Sequence, residues 1–191
     1  MSLPESSACV LLVDGFEEIE AVTVVDVLRR AGVQTSVLGV EHRKVTGNHG
    51  ITLNVDASLQ DVVSLGARFD AVVLPGGMPG AARLRDSDLV RDFVLTQGAQ
   101  GAILAAICAA PIALAHFGVL QGRQATCFPG FEAQLGGACV VSDRAVVFDG
   151  GVMTSRGPGT AIEFALALVA RLVGPDVAVD LGRRLLVQVA V

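Results

Sequence analysis

Ala8 to Val13 is an unbroken apolar run between Ser7 and Asp14, the pattern of a strand buried on both faces. From Glu18 to Ala31 apolar residues recur at helical spacing, with Ile19, Val22, Val25 and Leu28 on one side. Arg29 and Arg30 fill the last turn, and Gly32 is a helix stop. Val33 to Val40 alternates in part and reads as a second strand. Lys44 to Val55, broken by Thr46-Gly47-Asn48-His49-Gly50, reads as a hairpin. Asp56-Ala57-Ser58-Leu59 caps a short helix. Asp70 to Leu74 is a strand that runs into Pro75-Gly76-Gly77. Ser87 to Gln97 is an amphipathic helix with Leu89, Val90, Phe93 and Val94 inward. Ala102 to Ile107 is a strand followed at once by a helix over Ala109 to Phe117. Cys139 to Phe148 supplies one or two strands and Val152 to Ser155 another. Thr160 to Leu172 is a strongly apolar helix, and Asp176 to Leu186 closes the chain.

Strands and helices alternate, and the strands lack polar alternation. Such strands belong in a mostly parallel sheet with helices on both faces, so the expected fold is an α/β sandwich. The 191 residues form a single expected domain, 1–191, long enough to bury a core without disulfide or metal staples. No repeat, low-complexity tract or linker interrupts it.

Composition narrows the function classes. Hydrophobic residues make up 52% and charged residues 17%, which excludes intrinsic disorder. Fourteen basic residues against nineteen acidic ones give a net charge of -5, and Lys44 is the single lysine. No cationic face for nucleic acid is evident. Mean hydropathy of +0.60 raises the question of a membrane span. The longest uncharged run, Gln97 to Gly122, is rich in Ala and contains Pro111 and His116, so a buried strand and helix explain it better. Met1 to Ser7 carries Glu5 and no basic residue, unlike a signal peptide, and the expected location is the cytoplasm. Cys9, Cys108, Cys127 and Cys139 show neither C-x-x-C nor zinc spacing, and no metal or cofactor is expected.

Four segments carry candidate chemistry. In Ala106-Ile107-Cys108-Ala109-Ala110 an apolar strand meets a helix, with Cys at the junction and small residues two positions either side. This is the pattern of a nucleophile elbow, where a helix N-terminus would lower the thiol pKa. The competing reading is an inert Cys in an Ala-rich core. Pro75-Gly76-Gly77 lies at the carboxyl edge of the sheet, where glycine lets backbone N–H groups approach a ligand; an ordinary turn reads equally. Glu17, Glu18 and Glu20 sit at the same edge. They read mainly as helix-dipole partners, although an apolar strand end could keep one protonated beside a thiolate. Thr154 to Thr160 reads mainly as a structural turn between a strand and a helix.

Taken in order, Gly15 to Glu20, Val25 to Gly32, Asp56 to Leu59, Leu74 to Gly77, Ala106 to Pro111 and Thr154 to Thr160 resemble the ThiJ/PfpI superfamily. The resemblance is strongest to the branch of the Parkinson-disease-associated protein deglycase and its bacterial relatives, and it covers nearly the whole chain. It implies a flavodoxin-like sandwich and a homodimer. It makes Cys108 the nucleophile, Glu20 its carboxyl partner, and the backbone amides of Gly77 and Ala109 an oxyanion hole. Some members carry a His where this chain has Phe128. That departure weakens a Cys–His dyad and makes Phe128 an apolar wall that would desolvate Glu20. The basic residue that some relatives carry in the hairpin turn is His49 here.

The implied activity is that of a glutathione-independent glyoxalase, or of a deglycase, acting on small α-oxoaldehydes and their early adducts with amines or thiols. A non-enzymatic redox sensor or chaperone would use the same cysteine. An isonitrile hydratase of a more distant branch is disfavoured by Glu20, since that branch usually has Asp there. Class I glutamine amidotransferases need a His-x-Glu pair after the nucleophile, and none follows Cys108.

Overall fold

The computed structural model describes residues 6–187. Met1 to Glu5, read above as part of a leaderless start, and the last four residues of the expected 1–191 unit lie outside the described residues. The strands are β1 (Ser7–Leu12), β2 (Gln34–Gly39), β3 (Lys44–Thr46), β4 (Thr52–Asn54), β5 (Ala57–Ser58), β6 (Ala71–Leu74), β7 (Ile103–Ile107), β8 (Gln124–Ala125), β9 (Cys139–Val140), β10 (Val146–Asp149) and β11 (Val152–Ser155). The helices are α1 (Glu18–Arg30), α2 (Leu59–Ser64), α3 (Gly80–Asp86), α4 (Asp88–Ala99), α5 (Pro111–His116), α6 (Ala161–Leu172) and α7 (Pro175–Arg184).

Seven strands form the central sheet in the order β10-β11-β7-β6-β1-β2-β5. All neighbours run parallel except the edge pair β10 and β11. The flavodoxin-like sandwich expected from the sequence is therefore the fold. Alternation along β1 feeds two cores. Cys9 and Leu11 pack with Leu59, Leu84, Phe93 and Leu114 of α2 to α5. Ala8, Val10 and Leu12 pack with Val24, Leu28, Phe164 and Leu168 of α1 and α6. Because both faces are covered, β1 and β6 can be apolar at nearly every position.

The order also fixes where a ligand can bind. After β1 the chain moves outward through β2 and β5, then returns to build β6, β7 and β11 on the other side. The direction reverses between β1 and β6, and a crevice opens there at the carboxyl ends of the strands.

The uncharged run splits as expected into β7 and α5, and among the described residues no helix is long and apolar enough to cross a membrane. Other details differ. The nucleophile-side helix begins at Pro111 rather than Ala109, because Cys108 to Ala110 form the turn that leads into it. Helix α3 was not legible, since Gly80-Ala81-Ala82 lacks an apolar stripe; it stands on a close approach of Gly80 to Gly15. The two-residue strand β8 is likewise too short to leave a pattern. In α1 the buried side is Glu20, Ala21, Val24, Val27 and Leu28, whereas Ile19 and Val22 face outward. The helix carries two apolar stripes, and the one that includes Glu20 is turned to the sheet.

Phe164 is fully buried between α6, the sheet and α1. Phe164→Ala should cost about 3–5 kcal/mol, the usual range for removing a core aromatic ring, read by denaturant unfolding.

Candidate active site

Three strand ends meet at the crevice. Strand β7 delivers Cys108, β6 delivers Gly76 and Gly77, and the loop after β1 leads into α1 with Glu17, Glu18 and Glu20. Cys108 has φ 63°, the left-handed region that a non-glycine residue enters at roughly 1–2 kcal/mol. Two bonds hold it there: its N–H donates to Ser155 O at 2.9 Å, and its carbonyl accepts from Phe128 N at 2.8 Å. Thr154 to Thr160 is thus more than a turn. Its strand end supplies one anchor of the elbow, and Ser155 Oγ, 2.7 Å from Thr160 Oγ1 and from Ala145 O, braces it.

Glu20 is fully buried. Its Oε2 accepts from Gly76 N at 2.7 Å, while Oε1 has no hydrogen-bond partner. Glycine is obligatory at position 76 for reasons of space. A Cβ there would lie 2.6 Å from Cys108 Cβ and 2.8 Å from Glu20 Oε2. Gly77, at φ 87°, has equally little room, with Glu17 N and Gly15 O each 2.5 Å from where a Cβ would be. The backbone N–H groups of Ala109 and Gly77 reach the sulfur and favour its thiolate. The two amides therefore converge at the Cys108 sulfur.

The electrostatics of this pair overturn one expectation. The thiol pKa is not lowered. Burial pushes it up to about 12, helped by the charge and acceptor oxygens of Glu20 and opposed by the two N–H groups. The turn at 108–110 separates the sulfur from a helix only six residues long, so the dipole cannot offset desolvation. Burial likewise pushes Glu20 up to about 7; the Gly76 N–H and the Cys108 thiol oppose it, and the Glu17 charge adds a smaller rise. Two groups this close titrate as one unit. Above about pH 7 the pair carries one negative charge, and a proton can move between sulfur and carboxylate without changing that charge.

Residues 6–171 match the DJ-1/PfpI family. The chain belongs to the DJ-1/PfpI family. It is 42% identical over 183 residues to protein dj-1beta of Drosophila melanogaster, covering 95% of this chain and 97% of that protein. The crystal structure of that DJ-1beta superposes with a TM-score of 0.93, at 41% identity, over 97% of this chain and all of the other. The glutathione-independent glyoxalase DJR-1.2 of Caenorhabditis elegans is 35% identical over 178 residues, 92% of this chain and 93% of that protein.

Other expected site residues fall differently within this DJ-1/PfpI frame. Phe128 is 42% exposed and packs against Phe131 and Gly157. It forms a rim rather than the wall that desolvates Glu20, which is already sealed against Gly76. The three carboxylates are not simple dipole partners. Glu17 is the helix N-cap residue without a side-chain cap. Glu18 accepts from His49 N at 2.7 Å and Ile51 N at 3.2 Å, fastening the β3–β4 hairpin to the site. His49 Nδ1 lies 3.0 Å from Glu18 Oε2. Sequence reading had no signal for this fastening, because 31 residues separate the partners. Cys127 is buried and its thiol is pushed up to about 11, first by burial and then by Glu132; Cys9 is raised well above the usual thiol range by burial, and Cys139 is exposed.

Glu20 provides a stability test. Its folded pKa, about 7, is above the ordinary carboxyl value, so the folded state favours the protonated acid. That contribution is complete below about pH 4.5 and is lost as pH rises through 7. Relative to Glu20→Gln, the wild type should lose up to about 3 kcal/mol across this window, measured by denaturant unfolding at a series of pH values. A constant difference between the two proteins would remove the buried acid from the account.

Proposed function

We propose that the chain is a cysteine-dependent glyoxalase or deglycase acting on small α-oxoaldehydes and their early adducts. The observation that carries this reading is a thiol and a buried carboxyl of pKa about 7 that meet over Gly76. Its relationship to a protein named as a glutathione-independent glyoxalase agrees with it.

Cys108 Sγ adds to the aldehyde carbon while its proton passes to Glu20 and from there to the aldehyde oxygen, forming a hemithioacetal and leaving Glu20 ionised. The N–H groups of Gly77 and Ala109 lie where they can share their donation with the developing oxyanion. Glu20 then takes the carbon-bound proton of the hemithioacetal and returns it to the neighbouring carbonyl carbon, while the hydroxyl proton passes to that carbon's oxygen, giving a 2-hydroxy thioester. Water hydrolyses this to the hydroxy acid and regenerates the thiol, so methylglyoxal plus water becomes lactate. A carboxyl with pKa near the working pH suits both directions of proton transfer. In the deglycase form the same thiol would resolve an amine or thiol adduct at the same carbon. Neither route needs a His at position 128.

The alternative is a redox sensor or chaperone in which two equivalents of a peroxide oxidise Cys108 through sulfenate to sulfinate, each peroxide being reduced to water or alcohol. The unpartnered Glu20 Oε1 favours it, because a protonated carboxyl could donate to an added oxygen. The same site can therefore be read either way, and product formation separates the two.

Purified protein should convert methylglyoxal to lactate, with aldehyde loss and lactate measured separately. Cys108→Ser should abolish lactate, and Glu20→Gln should lower turnover about 10²-fold or more. Because Glu20 must be ionised to accept the thiol proton, activity should rise as pH increases through about 7. Phe128→His should alter this profile more than the maximum rate. Wild type that yields no lactate at any pH would remove the enzyme reading in favour of the sensor.

We also propose a homodimer, as the family resemblance implies. Ile19 and Val22 on α1 and Ile51 in the hairpin are 57%, 47% and 54% exposed, and Asp26, Arg29 and Arg30 follow on the same helix. Ala21, next to Val22 in the helix, is instead buried in the core. Light scattering at micromolar concentration should give twice the chain mass, and Val22→Glu should give the monomer.

A further inference from the structure

Next to the Cys108 crevice, three ligating groups come together from two elements distant in sequence. Glu17 and Glu18 each bring a carboxylate oxygen and His49 a ring nitrogen, all within 4.8 Å of one another. His49 Nδ1 is 3.0 Å from Glu18 Oε2 and 3.7 Å from Glu17 Oε2. Donors around one ion at roughly 2.0–2.1 Å are themselves separated by roughly 3.0–3.5 Å in adjacent octahedral or tetrahedral positions. The two sides that meet at His49 Nδ1, 3.0 and 3.7 Å, are already close to that spacing.

The two carboxylates are held in advance. Glu18 is buried, and its Oε1 is turned away to accept the His49 and Ile51 N–H groups, which fixes the direction of Oε2. Such outer hydrogen bonds orient ligands in metal sites. Gly47 packs directly on the Glu18 carboxyl, leaving no room for a Cβ and none for that side chain to swing toward the hairpin. Glu17 is 9% exposed, and its carboxylate lies 3.7 Å from His49 Nδ1. His49 itself is largely exposed, which gives an ion and its remaining waters an entry from solvent.

We propose that Glu17, Glu18 and His49 form a binding site for a divalent transition-metal ion of the zinc or cobalt kind. Two carboxylates with a neutral imidazole leave a charge of -2, which a divalent cation neutralises. The imidazole selects for zinc or cobalt over calcium or magnesium, which prefer oxygen-only ligands. The ion takes the position that a proton holds between His49 Nδ1 and Glu18 Oε2. The site is distinct from the Cys108–Glu20 pair, so it stands whether or not the chain turns over aldehydes.

The test is titration of the full chain with zinc chloride by calorimetry, in a Cys108→Ser/Cys139→Ser background that removes the two thiols not buried in the core. One ion per chain should bind, and His49→Ala and Glu17→Gln should each weaken it at least about tenfold. His49 is exposed, so His49→Ala leaves the fold intact, and circular dichroism checks both variants. Cobalt in the same background should give visible d–d absorption without a thiolate charge-transfer band. The proposal is overturned by the absence of saturable binding, by unchanged affinity in either variant, or by a thiolate band.

Discussion

One buried negative charge, shared between the sulfur of Cys108 and the carboxyl of Glu20, is the constraint around which the crevice is built. Neither group would ionise readily by itself at neutral pH, since burial opposes both charged forms. Together they need only one charge, and three backbone N–H groups stand ready for it: Gly76 on Glu20, and Gly77 and Ala109 on the sulfur. The glycines are required because donors this close leave no volume for a Cβ.

The sheet enforces that contact. Cys108 occupies a backbone conformation it would not choose, anchored by Ser155 on β11 and by the Phe128 segment. Glu20 is delivered by the first turn of α1, whose inward stripe continues through Val24, Val27 and Leu28 into the core. The apolar packing of α1 against the sheet and α6 thus supplies the free energy that keeps an acid out of water. A buried acid and a strained cysteine that cost stability locally are borne by two cores that are otherwise almost entirely apolar.

Glu20 takes a different role from Glu17 and Glu18 because helical geometry turns it toward Gly76, while the other two converge on His49. Glu20 enters the sheet edge, Glu18 fastens the hairpin, and Glu17 remains beside His49 near the opening. The charge on Glu17 also raises the Glu20 pKa, so the surface cluster and the buried pair are electrostatically connected. A cation on the outer cluster would relieve part of that effect.

The sequence by itself determined the layer architecture, because apolar runs at β1, β6 and β7 without polar alternation require a sheet covered on both faces. It also singled out Cys108, since a strand that meets a helix through small residues has few local solutions, and its ordered motifs pointed to the family. What it could not determine was anything set by distance across the sheet. Periodicity marked Ile19 and Val22 as one side of α1 but could not say which of two stripes would be buried. The expectation of a low thiol pKa considered the helix terminus alone, whereas desolvation by the assembled cores and the charge of Glu20, 88 positions away in the chain, decide the direction. Glu18 and His49 lie 31 residues apart, and only folding of the hairpin over the start of α1 brings them within 3.0 Å. Local spacing encodes the elements; charge, burial and proton position arise only when their ends converge.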